Sequence, residues 1–228
     1  MSDIAVANVI KSYGAQAAAF NVLDNVSFGV EQGEFAVIIG ADGAGKTTLL
    51  NVLGGLEGVN SGQVIVDGED IATYKAAQLT AYRREKVGFL GRRHGLVANL
   101  TAWENVRLAA AIAKKPQSAK EIFSMLGLED KSRLFPAQLS RGDQMRVAIA
   151  RELVKKPGLL LCDEPAGALD YAAGKMILSL LHKLCRARKL TVVMATHNQL
   201  VMPMADRIVL LKSGKVVNGA KNFQPVPV

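Results

Sequence analysis

The sequence predicts an α/β layer fold interrupted by a helical block, and three observations carry that prediction. Short apolar or alternating segments of strand length recur along the chain, a glycine-rich loop directly follows one of them, and helix-start signals cluster between residues 90 and 159. At 228 residues the chain is long enough for one sizeable core but short for two independent ones.

Strand signals fall at residues 4–10, 26–30, 35–39, 63–66, 87–90, 159–162, 191–195 and 207–211. The run at 35–39 leads into Gly40-Ala41-Asp42-Gly43-Ala44-Gly45-Lys46-Thr47-Thr48, a G-x-x-x-x-G-K-T loop in its strand-then-loop context. Glycines let successive backbone N–H groups turn inward and phosphate oxygens approach them closely. Lys46 then reaches the β- and γ-phosphates, and the Thr47 hydroxyl is suited to Mg²⁺. Residues 48–53 read as the helix whose positive N-terminus faces the anion, with Gly54-Gly55 ending it. The loop as a whole predicts a nucleoside triphosphate as ligand.

Thr101-Ala-Trp-Glu104 and Ser118-Ala-Lys-Glu121 both have the Ser/Thr-x-x-Glu form of a capping box, so helices are expected to open there and residues 101–155 to be mostly helical. Beyond them, Leu159-Leu-Leu-Cys162-Asp163-Glu164 reads as a buried strand ending in two acids, where an α/β sheet presents its site. Asp163 offers hard oxygen to Mg²⁺, and Glu164 is placed to polarise an attacking water as general base. The tail from Asn222 to Val228 reads as a loose end.

Composition narrows the partners. Lys and Arg total 28 against 20 Asp and Glu, a net charge of +8 that suits a polyanionic ligand, an anionic membrane surface or nucleic acid. Basic residues are scattered and aromatics few, so nucleic acid is not expected; Arg83, Arg84, Lys86, Arg92 and Arg93 read as a solvated or partner-facing rim. Cys162 and Cys185 have no metal-binding spacing and suit core or helix positions. No stretch approaches the ~20 apolar residues of a membrane span, and the start lacks a basic segment followed by an apolar one, so a cytoplasmic protein is expected.

Leu139-Ser140-Arg141-Gly142-Asp143 before the acidic strand, Ala195-Thr196-His197 after it, Lys11-Ser-Tyr13-Gly14 near the start and Gly167-Ala168-Leu169-Asp170 following the acids complete a recognisable order. Over nearly its whole length the chain resembles an ABC transporter ATPase subunit, most like the lipoprotein-release and macrolide-export group. The resemblance implies a P-loop NTPase fold: a RecA-like core with an antiparallel β-subdomain, formed by residues 1–90 and 150–220, a helical insert at 91–149 and a tail at 221–228, all in one domain. It implies ATP and Mg²⁺ as cofactors, with Tyr13 stacking on adenine, Lys46, Glu164 and His197 catalytic, Thr47 and Asp163 holding the metal, and Ser140 and Gly142 gripping the γ-phosphate of a second ATPase subunit that Asp170 bridges. The implied partner is a membrane permease, and the implied place is the cytoplasmic face of the plasma membrane, held peripherally. A regulatory, weakly hydrolysing subunit and a soluble non-transport relative are the alternatives.

Two departures stand against the family pattern. Arg141 and Asp143 replace a glycine and a glutamine, and Arg92 replaces a glutamine that touches Mg²⁺. A guanidinium has no lone pair to give a metal. ATP binding with slow or partner-dependent hydrolysis is therefore expected.

Overall fold

The computed structural model describes residues 2–14, 20–92, 94–222 and 225–226. Strands β1 (Ser2–Tyr13), β2 (Phe20–Glu31), β4 (Ser61–Val66) and β5 (Glu69–Asp70) form an antiparallel sheet in the order β2-β1-β4-β5. Strands β3 (Phe35–Ile39), β6 (Val87–Leu90), β7 (Leu159–Asp163), β8 (Thr191–Thr196), β9 (Arg207–Lys212) and β10 (Lys215–Lys221) form the second, in the order β10-β9-β3-β8-β7-β6. All pairs of this sheet are parallel except β9 with β10.

Every residue of β3, β7 and β8 is buried, the pattern of central parallel strands covered on both faces. Alternation along β3 divides the core. Phe35, Val37 and Ile39 pack toward α3 (Ala102–Ile112), α4 (Ala119–Met125), α5 (Arg141–Leu153) and α6 (Tyr171–Arg188), whereas Ala36 and Ile38 pack toward α1 (Lys46–Leu53) and the antiparallel sheet.

Helices α3 to α5 all lie between β6 and β7, but residues 101–155 are less helical than their composition suggests. Short 3-10 turns at Glu129–Lys131 and Pro136–Gln138 separate α4 from α5. Thr101 makes both arms of its capping box; Ser118 makes one, accepting from the Glu121 N–H. Helix α2 (Ala76–Glu85) buries only Tyr82, so it carries little apolar periodicity. The chain end is tied where it is described, because the Asn222 N–H donates to the Asp206 carbonyl and the Val226 N–H to that of Pro203. That corrects the loose-end reading for these residues; 223–224 and 227–228 lie outside the described residues. Among the described residues no helix is long and apolar enough to cross a membrane.

Candidate active site

The carboxyl ends of β3, β7 and β8 lie side by side, since Ile39 pairs with Thr196 and Asp163 with Ala195. That register places the loop after β3, the acids after β7 and His197 after β8 around one point, as open α/β sheets do. The Gly40–Gly45 loop is forced there by close approach. A Cβ on Gly40 would sit 2.4 Å from the Leu211 carbonyl oxygen; Gly45 has φ +99° and a Cβ there would meet the Val22 carbonyl oxygen at 2.7 Å. Gly45 caps α1, which buries Leu49, Leu50, Val52 and Leu53 and so points its first turn into the cleft.

Lys46 is buried at 3% exposure and donates to the carbonyls of Gly40 (2.7 Å) and Ala41 (3.0 Å). Its ammonium lies 3.9 Å from both Asp42 Oδ1 and Glu164 Oε1. The Thr47 hydroxyl donates to Asp163 Oδ2 at 2.8 Å, while the buried Asp163 Oδ1 has no hydrogen-bond partner. Glu164 adopts φ +50°, a strained left-handed turn that swings its carboxylate over β8. There Oε2 accepts from the Thr196 hydroxyl at 2.9 Å, and Oε1 accepts from the His197 N–H at 2.9 Å and meets His197 Nδ1 at 2.8 Å. Asp42, Glu164 and His197 each bring a side-chain atom within 4.8 Å of the others.

Five of the residues named from sequence thus converge: Lys46, Thr47, Asp163, Glu164 and His197. Tyr13 stands at the edge, its hydroxyl bonded to Glu57 and Lys11 Nζ 5.1 Å from its ring centroid. Partial burial, then the Glu57 contact, push its phenol above the ordinary range. Ser140 instead caps α5: its hydroxyl accepts from the Asp143 N–H (3.1 Å) and donates to Asp143 Oδ2 (2.7 Å). Asp143 is itself paired with Arg146 at 2.9 Å, and Gly142 lies on the same first turn. Asp170 caps α6 by accepting from the Ala173 N–H at 2.8 Å. Among the described residues no hydrogen bond or ion pair joins Ser140 to the Lys46 cluster.

Two contacts were not foreseen. Thr196, to which the sequence assigned no role, orients Glu164; the only signal for it is its position at the end of a buried strand. Arg92, read from its charge cluster as part of a solvated or partner-facing rim, is half-exposed but also reaches the cleft. Its Nε lies 3.3 Å from Asp163 Oδ2 and its Nη2 3.9 Å from Asp42 Oδ1. Arg83 donates to the Gly55 carbonyl, Arg84 pairs with Glu85 and Lys86 with Asp67; Arg93 lies outside the described residues.

A strand-loop-helix phosphate cradle facing a strand-end Asp-Glu pair and a histidine defines a P-loop ATPase site. The family model for ABC transporters matches residues 23–167, and the chain belongs to that family. It is an ATP-binding cassette, the ATPase element of such transporters. The macrolide export ATP-binding/permease protein MacB of Escherichia coli strain K12 is 39% identical over 226 residues, covering 97% of this chain and 35% of the relative. The protein of that name in Shigella boydii serotype 4 is 38% identical, again over 97% of this chain and 35% of the relative. This chain therefore spans about a third of those relatives' length. Among solved structures, the ATP-binding cassette MJ0796 in a dimeric post-hydrolysis state with ADP and Pi superimposes with a TM-score of 0.86 at 36% identity, covering 96% of this chain and 98% of that one.

Proposed function

We propose that this cassette binds ATP between two ATPase subunits and drives a membrane permease by making and breaking that pair, from the cytoplasmic face of the membrane. The observation that carries the reading is the division of the site. Phosphate loop, acids and histidine converge at one point, whereas Ser140 and Gly142 open a separate helix and, among the described residues, make no hydrogen bond or ion pair with them. A helix N-terminus with a serine and a glycine suits the γ-phosphate held by a second subunit. The dimeric state of MJ0796 and the permease named in the MacB relatives support the same arrangement.

Within the cleft, the loop N–H groups and Lys46 bind and orient the phosphates, and Tyr13 provides a flat platform for adenine. Glu164 accepts the proton of the attacking water, with Thr196 and His197 holding its two oxygens in place. His197 contacts the γ-phosphate. The residues fit Mg²⁺: the Thr47 hydroxyl and Asp163 carboxylate are adjacent hard oxygens, and the buried Oδ1 of Asp163 lacks a partner. When bound, Mg²⁺ draws charge from the β- and γ-phosphate oxygens.

Lys46→Ala tests the cradle directly. ATP affinity, read by calorimetry, is expected to fall at least ~100-fold, because a buried cation contacting phosphate is removed. Unchanged affinity overturns the reading. A second reading is a regulatory subunit that holds ATP without turning it over, favoured by the Ser140 hydroxyl proton being directed at Asp143.

A further inference from the structure

Arg92 reaches a carboxylate that surface arginines do not ordinarily reach. Its side chain is 54% exposed, yet its Nε lies 3.3 Å from Asp163 Oδ2, on a carboxylate only 4% exposed at the end of a buried strand. Strand register explains the reach. β6 runs parallel to β7 with Leu90 opposite Cys162, so the segment just beyond Leu90 that carries Arg92 runs beside the Asp163-Glu164 end of β7. The same guanidinium stands 3.9 Å from Asp42.

The cleft therefore carries three carboxylates, Asp42, Asp163 and Glu164, against two cations, Lys46 and Arg92. Without Arg92, only Lys46 among the described residues would oppose them, and it is already shared between Asp42 and Glu164. A buried acid beside two others disfavours an incoming polyanion unless a cation accompanies it. Arginine keeps its charge at every working pH and has no lone pair, so it neutralises Asp163 without ligating a metal.

We infer that Arg92 is a tethered counter-cation for Asp163, which lets the cleft accept ATP almost as well without Mg²⁺ as with it. The inference rests on the nucleotide reading of the same cleft. Mg²⁺ stays available to Asp163 Oδ1, but it is not needed to offset that carboxylate when the triphosphate enters.

The test is calorimetric binding of ATP to the purified chain, once with excess Mg²⁺ and once with EDTA, for the parent, Arg92→Gln and Arg92→Lys. The parent's affinities are expected to differ by less than about threefold, and those of Arg92→Gln by about tenfold more than the parent's, the effect of one charge across a partly exposed site. Arg92→Lys, keeping the charge, is expected to return most of the way. An equal Mg²⁺ dependence in parent and Arg92→Gln overturns the inference while leaving ATP binding intact. Absence of ATP binding in every protein and condition overturns the nucleotide reading itself, and this inference with it.

Discussion

Glu164→Gln separates the two readings of function because the structure lets the charge be removed with little else changed. Glutamine keeps an oxygen for the His197 N–H at 2.9 Å, and its amide then faces Thr196 Oγ1, which is 2.9 Å from the present Oε2. That hydroxyl already accepts the Asn198 N–H at 3.1 Å and has a second lone pair for the amide. Glutamine tolerates the φ of +50° no worse than glutamate, so stability is expected to stay within about 1 kcal/mol. What disappears is the proton acceptor. Loss of a general base costs roughly a hundred- to ten-thousand-fold in rate, or about 3–5 kcal/mol of barrier. The charge 3.9 Å from the Lys46 ammonium also disappears, so ATP is expected to bind more tightly. The assay is phosphate release from the permease complex in membranes, with melting temperature and ATP affinity measured alongside. A folded variant hydrolysing at the parental rate refutes the assignment of Glu164. A parent that binds ATP but never releases phosphate supports the regulatory reading instead.

Three further outcomes follow from particular side chains. Burial, then the nearby Arg186 guanidinium, lower the His182 pKa against a smaller opposing effect of Asp206, so the unfolded chain takes up that proton first. Stability is therefore complete above about pH 6.5 and falls with acid until the folded pKa is reached; melting from pH 7.5 to 5.5 should show a larger loss in the parent than in His182→Gln. Thr101→Ala removes a hydroxyl that accepts from the Glu104 N–H at 3.2 Å, and should cost about 1 kcal/mol, seen as a drop of ~2–4 °C in Tm. The Cys185 thiol is pushed up to about 12 by burial and donates to the Gly33 carbonyl, while burial also raises Cys162. Native protein at pH 8 should therefore resist a thiol reagent that labels both cysteines in denaturant.

What sequence revealed, and what it hid, follows from how far each feature depends on neighbours. β3, β7 and β8 are read from their composition because a strand buried on both faces must be apolar throughout. β10 is hidden because it is an edge strand in which every position but the half-buried Val216 is exposed and five are polar or small, and α2 because one buried tyrosine leaves no stripe. Lys46, Thr47, Asp163, Glu164 and His197 were legible because each sits in a local motif. Thr196 and Arg92 were not, because their contacts arise from the pairing of β7 with β8 and of β6 with β7, which no short segment encodes.

The two departures from the family pattern, at the α5 start and at Arg92, differ in what they do to charge. Arg141 adds a cation and Asp143 an anion, so the α5 start is unchanged in net charge relative to glycine and glutamine. Asp143 is moreover held by Arg146 at 2.9 Å and Lys131 at 3.8 Å, while Arg141 donates to the Ala168 carbonyl at 3.1 Å. Their effect at that helix is therefore on hydrogen-bond direction: the Ser140 hydroxyl must turn away from Asp143 Oδ2 before it can donate to a phosphate. Arg92 is different, because it replaces a neutral side chain and no acid accompanies it in the sequence. Its partners are acids the site already needs. On the proposed reading the α5 departures bear on how firmly a second subunit grips the nucleotide, and Arg92 on how the first subunit admits it; the two effects then act on opposite half-sites and are separable by mutation.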